Sequence, residues 1–368
     1  MTTIRFKLYL LACCCFMTLP LKAQRTVVID DHPTKYILNY GDIELFEDTA
    51  SKYQIQEVVQ PAFNSRFNPS RAFSPKNYNE ESTYWFKITF RNLKPDDEAR
   101  IIEFYDQTID SIAFYMPQGN GQYMQIMGGS RYTFAERLYK HKNFTIKLKR
   151  DFSGDRTCYF SVKSKQPANV MIALKPVKSF IEYGLSEYFL LGIFYGMILI
   201  FSFYNLMMFL AIRHLQYLYY ILYNISIALF EMSSNGIAYQ YIWPNAPEWN
   251  EIASGVALFM ASTASMLFAR EFLSLKSRAP LLNKIILTVI VLRALFFCYC
   301  LLVDEKFFNY KFIELLPLSL GYYAGWRVLG KGFPLCQVLR RRLFLLVAGC
   351  YFKDCTDYAC GKPSFWTC

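Results

Sequence analysis

The sequence predicts an exported all-β sandwich of jelly-roll type followed by an α-helical polytopic membrane bundle. Three observations point there. A basic start and an apolar run open the chain, residues 25–180 alternate polar and apolar positions in short runs, and from Tyr188 onward apolar stretches of span length follow one another. The 368 residues suffice for two ordinary domains, and an apolar fraction of 54% with 18% aromatics is high for a soluble protein.

Residues 1–23 have the parts of a secretory signal peptide: Arg5 and Lys7, an apolar core from Leu8 to Leu19, and Leu21-Lys22-Ala23 before the cleavage point. Leu10-Leu11-Ala12-Cys13 also resembles a lipoprotein processing site, but the apolar stretch ahead of it is very short. The exported domain, residues 24–180, then holds a single cysteine, Cys158, and no internal disulfide.

Period-two alternation marks half-buried strands at residues 82–90, 109–115 and 143–148. Further strands are expected at Thr26–Ile29, Arg100–Phe104, Gly121–Ile126, Thr157–Ser164 and Val170–Leu174, separated by turn signals such as Gln118-Gly119-Asn120-Gly121. About eight short strands without an amphipathic helix between them indicate an antiparallel sandwich. Aromatics are dense here, Tyr84, Trp85, Tyr115 and Tyr123 among them. Planar rings in this setting either stack on the apolar faces of pyranose sugars or fill the core, and solvent exposure distinguishes the two.

The membrane region, residues 185–334, offers five segments of span length, near Tyr188–Ile212, Tyr217–Tyr239, Ile252–Ala269, Ile285–Val303 and Phe312–Leu329. Arg213 follows the first, Arg270, Lys276, Arg278 and Lys284 the third, and Arg327 and Lys331 the fifth. The connector Gln240–Glu251 has no Lys or Arg and carries Trp243 and Trp249. With the β-domain exported, every strongly basic connector is cytoplasmic. This placement also accounts for the net charge of +11 without nucleic acid, for which no motif is present. Glu231 and Arg293 fall in spans and are a candidate intramembrane pair, while Gly192 and Gly196 have the spacing of a close helix approach.

Signatures of catalysis are missing from the sequence. His32, His141 and His214 have no neighbouring metal ligands, and hydrolase elbows, phosphate-binding glycine loops and metalloprotease helices are absent. No metal, no cofactor and no enzyme activity are expected.

The order of parts resembles the bacterial seven-transmembrane receptors with diverse intracellular signalling modules. In the exported region the likeness rests on Tyr84-Trp85-Phe86-Lys87, residues 109–115, Gly121-Gln122-Tyr123 and Arg137, which are similar to the family's extracellular domain of the second type. In the membrane region it rests on Gly192 to Gly196, Tyr204-Asn205, Tyr217-Leu218-Tyr219-Tyr220, Asn235-Gly236, Trp243-Pro244 and Phe268 to Leu273. The resemblance implies a receptor of the bacterial inner membrane with its amino-terminal domain in the periplasm. It also implies a small-molecule ligand, a carbohydrate, held by Tyr84, Trp85, Tyr115, Tyr123 and Arg137. The expected partners are that ligand, the lipid bilayer, a cytoplasmic signalling partner and a second copy in a homodimer.

Two departures stand against the family pattern: five spans, and no cytoplasmic module. Residues 335–368 contain Arg340-Arg341-Arg342 and five cysteines, and reading the codons for residues 335–343 one nucleotide later permits an apolar segment. Truncation by a frameshift and a genuine basic tail are the two readings. For function, the rival to the receptor is a transport or envelope-assembly component whose β-domain binds a partner or a glycan.

Overall fold

Alternation in β5 (Thr83–Asn92) organises the exported half, because both faces of this strand are covered and its aromatics are divided between them. The computed structural model describes residues 26–329, apart from 30–34, 40, 71–74, 76–78, 95–97, 119–120, 167, 304–306 and 309–310. The expected signal peptide (1–23) and tail (335–368) lie outside the described residues.

Every strand expected from alternation is present: β1 (Val27–Ile29), β5, β6 (Arg100–Phe104), β7 (Ser111–Pro117), β8 (Tyr123–Gly128), β9 (Phe144–Leu148), β10 (Gly154–Lys163) and β11 (Ile172–Pro176). Three more were not expected: β2 (Tyr36–Ile37), β3 (Glu44–Asp48) and β4 (Asn68–Pro69). Two residues cannot display a period. In β3 the adjacent apolar pair Leu45-Phe46 breaks the alternation, since one side chain packs on the core and the other under a cover on the opposite face.

The strands form a seven-stranded sheet, ordered β4-β3-β5-β10-β7-β8 with β1 parallel to the end of β5, and a four-stranded sheet ordered β2-β11-β6-β9. Every other pairing is antiparallel. Register aligns Phe86, Phe160 and Phe114 in one row facing the second sheet. Phe86 stacks on Phe160 at 4.6 Å between centroids, and Phe104 of the second sheet meets Phe160 edge-on at 5.5 Å. Each such ring, fully buried, contributes roughly 1.5–3 kcal/mol of transfer free energy. Cys158 is a free, buried cysteine in this core.

Between β3 and β4 a one-turn helix, α1 (Ile55–Val58), and a 3-10 turn, Pro61–Arg66, cross the outer face of the larger sheet. Glu57 closes a capping box with Gln54 at the start of α1.

β11 runs directly into α2 (Val177–Ile212), which begins well before the expected span because its first turns pack on the four-stranded sheet rather than in lipid. There follow α3 (Leu215–Ser234), α4 (Ile237–Tyr241), α5 (Pro247–Phe272), α6 (Leu275–Arg278), α7 (Pro280–Leu302) and α8 (Leu315–Leu329). Helices thus occupy all five expected segments, but among the described residues only α2, α5 and α7 are long and apolar enough to cross a membrane. α3, with Gln216, Asn224 and Glu231, packs against both α2 and α5, so its neighbours relieve it of a fully apolar surface. α8 has 15 residues because Lys311–Glu314 adopts a 3-10 turn. A Cβ added at Gly192 or Gly196 would meet nothing within 4 Å, so their spacing serves no close helix approach here.

Candidate functional site

Pleating decides which of the expected ligand residues can act together. Adjacent positions on a strand point to opposite faces, so Tyr84 and Trp85 cannot share a site. Tyr84 is buried in the sandwich core, donating to Glu47 Oε1 at 3.1 Å and accepting the Asn79 N–H at 2.9 Å. Trp85 faces outward, with Phe46, Tyr115, Tyr123 and Tyr159.

On that outer face the small residue Ser161 of β10 lies opposite Trp85, and Ala113 lies opposite Ser161. The low floor lets Trp85 of β5 reach Tyr115 of β7, stacked at 5.6 Å and 23°. Tyr123 meets Tyr159 edge-on at 6.0 Å. The crossing segment closes the face: Phe63 and Phe67 pack edge-on to Phe46, and Arg66 lies over the rings of Tyr53 and Phe63 while donating to the Tyr53 hydroxyl at 2.6 Å. Trp85 is consequently only 3% exposed and Tyr115 8%. The indole Nε1 of Trp85 has no hydrogen-bond partner among the described residues.

Arg137 is elsewhere, at the junction with the bundle. Its guanidinium lies 4.6 Å from the Phe134 ring centroid and 5.7 Å from that of Tyr239 on α4, and donates to the carbonyls of His141 and Lys142. Burial lowers its pKa to about 10. Around it the β8–β9 loop meets the helix ends. Phe134 N–H donates to Pro244 O at 2.9 Å, Tyr239 hydroxyl to Tyr132 O at 2.6 Å, and Gln240 Nε2 to Lys140 O at 2.9 Å. Glu251 accepts from Arg131 at 3.3 Å.

Beneath the first turns of α2 lies a buried polar network that was not anticipated. Lys175 Nζ sits 2.5 Å from Glu103 Oε2, and Asn143 Nδ2 donates to Glu103 Oε1 at 2.6 Å. The Lys175 ammonium is also 4.1 Å from the ring centroid of Tyr183 on α2. His141 Nδ1 accepts the Asn143 N–H at 3.1 Å, which places the ring proton on Nε2. That nitrogen faces Glu187 Oε2 of α2 across 3.7 Å, and neither atom has a hydrogen-bond partner among the described residues. Burial pushes the His141 pKa down, against the upward pull of Glu103 and Glu187. Tyr188 accepts the Lys142 N–H at 3.0 Å and donates to Gln240 at 2.5 Å, joining sandwich, α2 and α4. Partners tens of residues apart in the chain left no local sequence signal for this network.

Within the bundle, the expected pair of Glu231 and Arg293 is not formed. Arg293 donates to Ser262 Oγ at 2.6 Å and pairs with Glu314, over the ring of Phe259. Glu231 accepts from Nδ2 of Asn235, the C-cap of its own helix, at 3.5 Å. The difference arises because the 3-10 turn before α8 brings Glu314, which lay inside an expected span, against α5 and α7. No group of metal ligands is present among the described residues.

A family model described as 7TMR-DISM extracellular 2 matches residues 40–175, and one described as 7TM diverse intracellular signalling matches residues 187–340. No curated protein matches the chain.

Proposed function

The chain belongs to the 7TMR-DISM family of multi-pass membrane receptors, with its amino-terminal domain outside the cell, and on that premise we propose that it senses a carbohydrate on the outer face of the seven-stranded sheet. The observation behind this reading is the joint placement of Trp85, Tyr115 and Tyr123 on one face, with a buried indole N–H awaiting an acceptor. Aromatic planes suit the C–H faces of a sugar, and a hydroxyl would satisfy the indole, a hydrogen bond of about 0.5–1.5 kcal/mol. Access requires the segment Tyr53–Phe67 to lift, which exchanges its own aromatic packing for that of the ligand.

In the same reading, displacement of that cover shifts the larger sheet against the smaller one, and the junction at Glu103, His141, Arg137 and Tyr188 passes the shift to α2 and α4. Output goes to a cytoplasmic signalling partner, from a receptor that is itself no enzyme, in the inner membrane of a bacterium. A homodimer would let two bundles respond together.

Titration calorimetry of the full chain in detergent against a panel of neutral mono- and oligosaccharides tests the site. Trp85→Phe keeps an aromatic ring but removes the indole N–H together with the second ring of the stack, so binding should weaken several-fold with the fold retained. Wild-type binding that Trp85→Phe and Tyr115→Phe leave unchanged would refute the site. Binding without any altered protection of α2 and α4 in hydrogen exchange would favour the transport or assembly role.

A further inference from the structure

We infer that the end of the bundle farthest from the sandwich holds a site for the headgroup of an anionic phospholipid. Tyr239 and Pro244 fasten one end of the bundle to the sandwich, and α5 leads away from it to the opposite end, where Met266, Leu275, Leu282 and Val328 pack together. There a groove of about 480 Å³ opens between the start of α7 and the end of α8. Arg278 and Arg327 line it together with Leu281, Ile285 and Val328, and no Asp or Glu is among the lining residues.

Three features converge on an anion. Both arginines are exposed, and the Tyr323 hydroxyl accepts one Arg327 N–H at 3.2 Å, orienting a guanidinium that keeps further donors. α7 begins at Pro280 with no side-chain cap, so the N–H groups of Leu281 and Leu282 lack intrahelical acceptors and the positive end of the helix dipole adds to both cations. The third feature is position: this end carries the basic connector of α6, on the side opposite the extracellular domain, where the leaflet is anionic.

The groove's apolar wall selects among anions. Leu281 is 72% exposed and Ile285 42%, both on the wall below the cations. A free phosphate would leave that wall in water, whereas a phospholipid covers it with acyl chain while its phosphate meets the arginines. Seated there, the lipid bridges α7 and α8.

The test is native mass spectrometry of the full chain with phosphatidylglycerol and phosphatidylcholine of the same acyl chains. Each Lys or Arg near an anionic surface is worth about fivefold in affinity, so phosphatidylglycerol should be preferred by roughly tenfold or more. Arg278→Gln with Arg327→Gln should bring the ratio near one, while Lys276→Gln, outside the groove, leaves it unchanged. If the double glutamine variant misfolds, Arg278→Lys with Arg327→Lys decides, because a headgroup site retains the preference with lysines. An equal ratio in the wild type, or a ratio unmoved by the double variant, would overturn the inference. So would displacement by millimolar inorganic phosphate, which would make this a free-phosphate site. A photoreactive residue at Leu281 should crosslink to lipid; crosslinking to residues 330–368 would mean the chain itself fills the groove.

Discussion

Lys175 Nζ lies 2.5 Å from Glu103 Oε2, and with side-chain exposures of 2% and 0% the pair is sealed between the four-stranded sheet and α2. Breaking such a pair strands a charge. Lys175→Met should destabilise the full chain by about 3–5 kcal/mol, and adding Glu103→Leu should recover much of the loss, because a packed apolar pair avoids both desolvation costs. Denaturant unfolding of the two variants checks this. Equal destabilisation by the single and double changes would mean that packing, not charge, dominates the site.

Gly236 adopts φ +75°, and a Cβ there would lie 2.8 Å from Gln107 Oε1. Gly236→Ala should cost about 1–2 kcal/mol through the left-handed backbone alone, and the flexible Gln107 side chain can give way. The cost falls at the junction, so hydrogen exchange should rise in residues 131–143 and 236–251 while β5 and β10 stay protected. Loss of protection throughout the sandwich would contradict a local role.

His141 supplies a pH dependence with a defined sign. Its folded pKa is depressed by burial below the ordinary 6.5, so the unfolded chain takes up a proton first as pH falls. The contribution of this residue is therefore complete above pH 6.5 and is lost as pH drops through the depressed value. His141→Asn retains an acceptor for the Asn143 N–H and cannot titrate, so its unfolding midpoint should fall less than that of the wild type in this range. Parallel pH profiles would show that His141 is not the titrating group.

Orientation is testable directly. A reporter active only in the cytoplasm should work when fused after Ser277 and fail after Asn245. Asn245 follows Pro244, whose carbonyl is bonded to the extracellular domain, whereas Ser277 sits in the basic connector at the far end. The reverse pattern would overturn this orientation and with it the extracellular placement of the amino-terminal domain.

By itself the sequence determined the two-part architecture, eight of the eleven described strands and the five helical segments, since periodicity and span length are local properties that burial on one or both faces writes into neighbouring residues. It could not reveal β2 or β4, which are too short for a period, or the cover that turns Trp85 and Tyr115 from a surface platform into a buried layer. Which residues act together was decided only by the tertiary structure. Tyr84 and Trp85 are adjacent in the chain yet separated by the sheet, while Arg137 lies in the bundle junction, apart from the aromatics it was grouped with. Arg293 found Glu314 rather than Glu231 for the same reason. Pairing between ionised groups depends on which helices and strands become neighbours, and that follows from the packing of whole elements, not from the few residues on either side of a charge.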